Sequence, residues 1–332
     1  MSDNAIGGYF GWQDLAPDVV FPVPPHAFRS ARSALAAFLT DRRPSRLWLP
    51  WQVCGAVTDA VAFSGTPMAR YSLAPDRGVP DTLVLAEGEW VLAVDYLGLC
   101  DAPVKRLLAR FPHERIIVDA SQALFRSRLG GEAVLYSPRK TLPLPDGGWV
   151  DAPNAPAPVR ADEEGSMART APMRLRAEGK VTEGYTAFQA AEASLEPPEP
   201  LAMSGLTRHL LSHQDVADVA SRRRSNHATL ARGLATRGVV VAPPAPHEVP
   251  LYTPLRVAGA AAVRAELAKR QVYSPTFWPD ASPPPDDPIG RALRDDTLYL
   301  PCDQRYDDEG MGRVLAALDD AMTASGRHYL KD

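Results

Sequence analysis

The chain has 332 residues, 45% hydrophobic and 23% charged, with a formal net charge of −4. This composition fits packed globular domains rather than a disordered chain, and it offers no basic field for nucleic acid or anionic lipid. Cys54, Cys100 and Cys302 lie too far apart for a disulfide framework or a CxxC metal pair; with no leader pattern in the first ten residues and no run near the ~18 apolar residues of a membrane span, a cytoplasmic protein is expected.

Strand-like and helix-like runs alternate over residues 27–150. Residues 27–39 read as a helix with Phe28, Ala31, Leu35 and Phe38 on its apolar side. A short strand at 46–49 stops at Pro50, and 53–63 is a second helix. Residues 69–73, 82–86 and 90–94 read as strands. A helix at 102–111, with Leu107 and Leu108 inward, leads to a buried strand at 115–118 that ends at Asp119. Another strand at 133–136 is followed by a Pro/Gly-rich turn and a short return at 148–150. This alternation predicts an α/β fold with a mostly parallel sheet, in which ligands sit at the carboxyl ends of strands. Residues 151–180 are polar and read as a loop or lid. Residues 183–194 are helical again, and 205–235 read as one long helix through Leu206, Leu210, Leu211, Val216, Val219, Leu230 and Leu234. Strand-like 239–241 and 255–257, a helix at 260–270, a strand at 298–300 and a closing helix at 307–324 make a smaller α/β unit. The expected division is a large domain over 1–195 and a small C-terminal domain over 196–332. The 33 prolines, about twice the usual share, cluster between these runs and imply stiff connections.

Three features carry chemistry together. Val118-Asp119-Ala120-Ser121-Gln122 begins at the tip of a buried strand, Ser137-Pro138-Arg139-Lys140 directly follows the next strand, and Pro145-Asp146-Gly147-Gly148 turns the chain back to the sheet. Pyridoxal 5′-phosphate (PLP) chemistry needs a lysine amine to condense with the cofactor aldehyde. It also needs an acid at the pyridine nitrogen, because a protonated ring is the better electron sink. Asp119 and Lys140, on neighbouring strand ends, suit those two places. Alone, Asp119 reads as a helix cap and Lys140 as a solvated loop lysine; their co-occurrence with the Gly-Gly turn favours the PLP reading. Ser30, Ala31 and Arg32 open the first helix, whose N-terminus can seat a phosphate; plain capping by Ser30 is the alternative.

The chain resembles the DegT/DnrJ/StrS-type sugar aminotransferases, in particular their shorter relatives. The resemblance rests on Ile6-Gly7-Gly8-Tyr9-Phe10, Ala31-Arg32-Ser33-Ala34-Leu35, Leu49-Pro50, the 118–122 and 137–140 segments and Asp146-Gly147-Gly148. In the second half it rests on residues 222–226, 252–256 and 300–303. It implies the fold-type I PLP-dependent transferase architecture, with Asp119 at the ring nitrogen and Gln122 at the ring's phenolic oxygen. It further implies Lys140 as the covalent anchor and proton shuttle, Ser137 with Ser30, Ala31 and Arg32 at the phosphate, and a homodimer completing the site. Two departures stand out. Only Pro138 and Arg139 separate Ser137 from Lys140, where the family has a longer stretch, and Cys54 falls where an aromatic would stack on the ring. The reaction so implied moves an amino group from an amino acid such as glutamate to a keto-sugar, carried on a nucleotide and destined for polysaccharide or secondary metabolism. The alternatives are another PLP reaction, a dehydratase or lyase step, or a non-catalytic protein on the same fold.

Other candidates read more simply. Trp51 is either a ring-stacking residue or a core anchor. His209 and His213 share a helix face but lack a third ligand, so no metal site is expected. Arg222, Arg223 and Arg224 read as a solvated face rather than a phosphate patch, and Tyr185 and Phe188, placed where an active-site loop could end, read as core packing.

Overall fold

The computed structural model describes residues 5–16 and 21–330. In chain order its elements are β1 (Ile6–Gly7), α1 (Ala31–Arg42), β2 (Arg46–Pro50), α2 (Gly55–Phe63), β3 (Met68–Tyr71), β4 (Glu89–Val94), α3 (Asp101–Arg110), β5 (Ile116–Asp119), β6 (Ala133–Tyr136) and β7 (Trp149–Asp151). Then come α4 (Glu163–Ala168), α5 (Ala171–Ala177), α6 (Val181–Ala193), α7 (Gly205–Ser212), α8 (Val216–Ala235), β8 (Tyr252–Arg256), α9 (Ala260–Lys269), β9 (Val272–Tyr273), α10 (Pro288–Asp295), β10 (Thr297–Pro301) and α11 (Asp308–Ser325).

The main sheet has six strands in the order β3-β2-β4-β5-β6-β7. The first five run parallel and β7 returns antiparallel at the edge. Strands β5 and β6 are buried at every residue; such uninterrupted apolar runs suit a parallel sheet covered on both faces. Asp119 sits opposite Leu135 in the ladder, so the turn that starts at Ser137 leaves the sheet two residues beyond Asp119. Successive strands lie about 4.8 Å apart, which brings these two strand ends to one rim. The mostly parallel α/β architecture is thus as expected.

Several local expectations are corrected. Residues 82–86 are not a strand: Val84 is 78% exposed and the segment runs irregularly into β4. The stretch 151–180 contains α4 and α5, both short. The 205–235 helix is two helices, α7 and α8, broken where Asp215 caps the second by accepting from the Asp218 amide. Residues 239–241 form no strand. The first helix starts at Ala31 rather than residue 27, because Ser30 caps it through its hydroxyl to the Ser33 amide.

Two apolar clusters form the interior. One surrounds the main sheet and also takes Met203, Leu210, Leu211 and Val219. The other draws on α8, α9, α11, β8 and β10, and includes Ile6 from the N-terminal segment, where β1 pairs in parallel with β9. At their junction lies a buried charge group. The Asp303 carboxylate pairs with Arg305 at 2.7 Å, and Arg305 donates to the Tyr9 carbonyl at 3.0 Å. Burial pushes the Asp303 carboxyl up, but Arg305 and then Arg223 outweigh it and hold the group below the usual carboxylate range. A carboxyl depressed in the folded state contributes stability that is present above its unfolded value near pH ~4 and lost as pH falls through the folded value. Asp303→Asn should therefore lower the melting temperature at pH 7, by the equivalent of ~3–5 kcal/mol for a broken buried pair. The gap to wild type should narrow in melts run below pH ~4; a gap that persists unchanged in acid refutes the assignment.

Candidate active site

A cavity of about 880 Å³ opens at the carboxyl ends of β5 and β6, within the size range of small-molecule sites. Its floor includes Asp119, Ser121, Ser137 and Lys140, one wall is the start of α1 and α2, and the far side comes from α5, α6, Leu251, Tyr252 and residues of the 273–279 segment.

Each floor residue owes its position to the sheet. Asp119 is the last residue of β5 and is 3% exposed; its Oδ1 accepts from the Ser121 amide at 2.9 Å. Lys140 ends a single 3-10 turn (Pro138–Lys140) after β6, and its Nζ donates to Ser121 Oγ at 3.1 Å. Ser121 thus stands between the acid and the amine. The position of the lysine turn is set from the other unit: Gln304 Nε2 donates to the Thr141 carbonyl at 2.9 Å, and Arg223, 1% exposed, reaches the same oxygen at 3.4 Å. Burial pushes the Arg223 guanidinium below its ordinary value. The expectation of a solvated face for residues 222–224 fails here, because Arg223 points inward while Arg222 pairs with Asp218 in solvent.

The Asp146-Gly147-Gly148 turn docks on α1. Gly148 exchanges backbone hydrogen bonds with Phe28, and the Gly147 amide donates to the Arg29 carbonyl at 2.6 Å. A Cβ on Gly148 would lie 2.1 Å from the Ala31 nitrogen, and Gly147 has a φ of +115°. Only glycine fits both constraints, which explains the pair and holds the N-terminus of α1 at the cavity.

The charge pattern on the floor is unusual. Five lysines occur in the sequence. Lys105, Lys180 and Lys269 each pair with a carboxylate, whereas Lys140, among the described residues, has only the neutral Ser121 hydroxyl. Among the described residues, no arginine, lysine or histidine pairs with Asp119. Buried charges normally find a partner. Here an acid and an amine face one cavity, each without a counter-ion and not bonded to one another.

Of the residues expected at the site, Ser30, Ala31, Arg32, Cys54, Asp119, Ser137 and Lys140 all line this cavity. Gln122 does not: its Oε1 accepts from the Leu97 amide at 2.8 Å, so it braces the neighbouring loop. The Ser30 hydroxyl is engaged by Ser33, as a plain cap would be. Trp51 lies outside the cavity under the Arg70 guanidinium. His209 and His213 stack on each other at 4.5 Å, and among the described residues no His/Cys/Asp/Glu cluster could hold a metal.

Sequence reasoning missed the opposite wall. Tyr185 and Phe188, read as core, line the cavity with Tyr9 stacked on Phe188 at 5.6 Å. Arg139, Arg169, Arg176 and Glu192 also line it, as do Tyr252 and Phe277. Burial pushes the Tyr252 phenol up to about 12, so it remains a neutral hydroxyl at physiological pH. The Tyr-x-x-Phe spacing at 185 and 188, three apart on one helix face, was the one available signal.

No protein-family model matches the sequence, and no curated protein is significantly similar to it. Solved structures are similar in fold. DesI, determined with its TDP-sugar product, is 17% identical with a TM-score of 0.63, over 90% of this chain and 81% of that one. PseC of Helicobacter pylori, an aminotransferase of pseudoaminic acid biosynthesis, is 12% identical with a TM-score of 0.62, over 96% of this chain and 100% of that one. NtdA of Bacillus subtilis, with bound cofactor PMP, is 14% identical with a TM-score of 0.61, over 90% and 73%. The fold is therefore fold type I, the architecture shared with these solved structures.

Proposed function

We propose that the protein is a PLP-dependent aminotransferase of the DegT/DnrJ/StrS type, transferring an amino group from an amino acid to a keto-sugar carried on a nucleotide. The observation that carries this reading is an acid and an amine on the cavity floor that, among the described residues, have no counter-ion. Asp119, buried with no counter-ion, fits a protonated pyridine nitrogen; Lys140, an amine without a carboxylate partner, fits the aldehyde at the other end of the ring. The fold likeness to DesI and PseC supports a sugar acceptor, and the bound PMP of NtdA supports the cofactor. When bound, PLP supplies an electron sink for the carbon that loses its proton.

The chain's own residues would do the rest. Lys140 would move that proton, with Ser121 orienting its amine. Asp119 would keep the ring nitrogen charged. The N-terminus of α1, Arg32 and Ser137 would hold the phosphate, and Cys54 would lie on the ring face in place of an aromatic. We read the chain as two units, 1–195 and 196–332, meeting across the cavity; the second apolar cluster supports this, with 203–219 and residues of 278–299 packing back on the first and Ile6 crossing to the second. A homodimer in the cytoplasm fits the reading, and no helix among the described residues is long and apolar enough to cross a membrane.

Borohydride reduction of the protein with PLP, followed by peptide mapping, should place the label on Lys140. Label on another lysine, or protein that develops no visible absorbance with PLP, rejects the proposal.

A further inference from the structure

Arg139 directly precedes Lys140 on the 3-10 turn, and both side chains line the cavity. The Arg139 guanidinium donates to the carboxylate of Glu192, a lining residue at the end of α6. The two ends of this pair differ. The Arg139 side chain is only 14% exposed and its Nε is buried with no hydrogen-bond partner, while the Glu192 side chain is 40% exposed. Four residues on, Glu196 accepts from Arg32, another cavity arginine, at 2.8 Å with its own side chain 58% exposed. The arginines belong to the cavity wall; the acids that occupy them lie toward solvent.

The pair is open to solvent on the Glu192 side, where water screens the attraction, so an entering carboxylate can replace Glu192. A guanidinium takes a carboxylate through two parallel hydrogen bonds, a geometry no lysine reproduces.

We propose that Arg139 anchors the carboxylate of the amino donor, with Glu192 as a built-in stand-in that the donor displaces. This deepens the aminotransferase reading and rests on it for the identity of the donor. One turn of backbone carries both the anchor and the reactive amine, so a donor held by Arg139 is presented to Lys140. The ligand class is an amino acid with a free carboxylate; amines lacking one would not be retained.

Glutarate, an unreactive dicarboxylate, probes the anchor directly. Calorimetric titration into the purified protein is expected to show binding that Arg139→Gln weakens roughly tenfold or more, the loss of a charge-assisted hydrogen bond, and that Arg139→Lys weakens less. Glu192→Gln, at a half-exposed position that should not affect folding, is expected to tighten it severalfold by removing the internal competitor. In PLP-loaded protein, the L-glutamate concentration that bleaches the visible absorbance should shift in the same order, with PLP affinity unchanged in all three variants. Equal glutarate affinity in wild type and Arg139→Gln, no gain in Glu192→Gln, or a fall in PLP affinity that matches the fall for glutarate overturns the anchor. Wild-type protein that takes up no PLP instead rejects the aminotransferase reading, and the glutarate titration still decides the role of Arg139.

Discussion

Lys140→Ala should lower amine transfer by at least ~10²–10⁴-fold, the usual contribution of a positioned proton-transfer group, while leaving the fold intact. The separation of the two effects follows from the surroundings of the side chain. Lys140 makes one side-chain hydrogen bond, to the Ser121 hydroxyl, and no ion pair that folding would miss. A neutral–neutral or single charge-assisted bond at the rim of a cavity contributes about 0.5–3 kcal/mol, so the melting temperature should move little. Single-turnover measurement with a keto-sugar acceptor, beside a thermal melt, reads both quantities. Turnover within a few-fold of wild type would show that another group moves the proton. A large loss of stability with it would show that the lysine is structural. Two other lysines supply an internal control: Lys105 and Lys269 sit in ion pairs outside the cavity lining, and removing either should leave transfer unchanged.

The sequence made the floor of this site legible and hid its walls, for a physical reason. Strands β5 and β6 are apolar at nearly every position because both faces of a parallel sheet are covered, so their limits could be read to within a residue, and with them the positions of Asp119 and Lys140. The Gly147-Gly148 pair was visible as a turn, and the structure adds why both must be glycine: the α1 backbone lies against Gly148. The opposite wall leaves no such trace. Helix α5, which lines it, has seven residues, too short to display a periodic face, and lies in a polar stretch that read as a loop. The pairing of Arg139 with Glu192 joins residues 53 apart in the chain, and nothing periodic announces a contact of that kind. Arg223 was misread for a related reason. An Arg-Arg-Arg run on a helix resembles a solvated face, yet three successive residues point in three directions at 100° steps, and one of them must face the core. Gln122 shows the converse: the motif placed it beside Asp119, but its amide oxygen is committed to the Leu97 backbone.

Asp119→Asn should have opposite signs in the empty and the loaded protein, which makes it the sharper test. The carboxylate is 3% exposed, accepts one backbone amide and, among the described residues, forms no ion pair. An unpaired buried carboxylate costs stability. Asparagine keeps an acceptor for the Ser121 amide and removes the charge, so the melting temperature of the empty variant should equal or exceed that of wild type. With PLP the order should reverse. A ligand that binds only the folded state raises the melting temperature according to its affinity, and the variant lacks the charge that would pair with the ring nitrogen, so its PLP-induced rise should be smaller. Turnover should drop by about 10²–10³-fold, the scale of removing one preorganised electrostatic partner. Melts of both proteins with and without saturating PLP separate the possibilities. If asparagine destabilises the empty protein and leaves the PLP-induced rise intact, Asp119 is a structural acid that happens to face the cavity, and the cofactor is held some other way. If the signs reverse as described, the strand tip carries a charge that the folded chain alone does not need, placed there for a cation that arrives with the ligand.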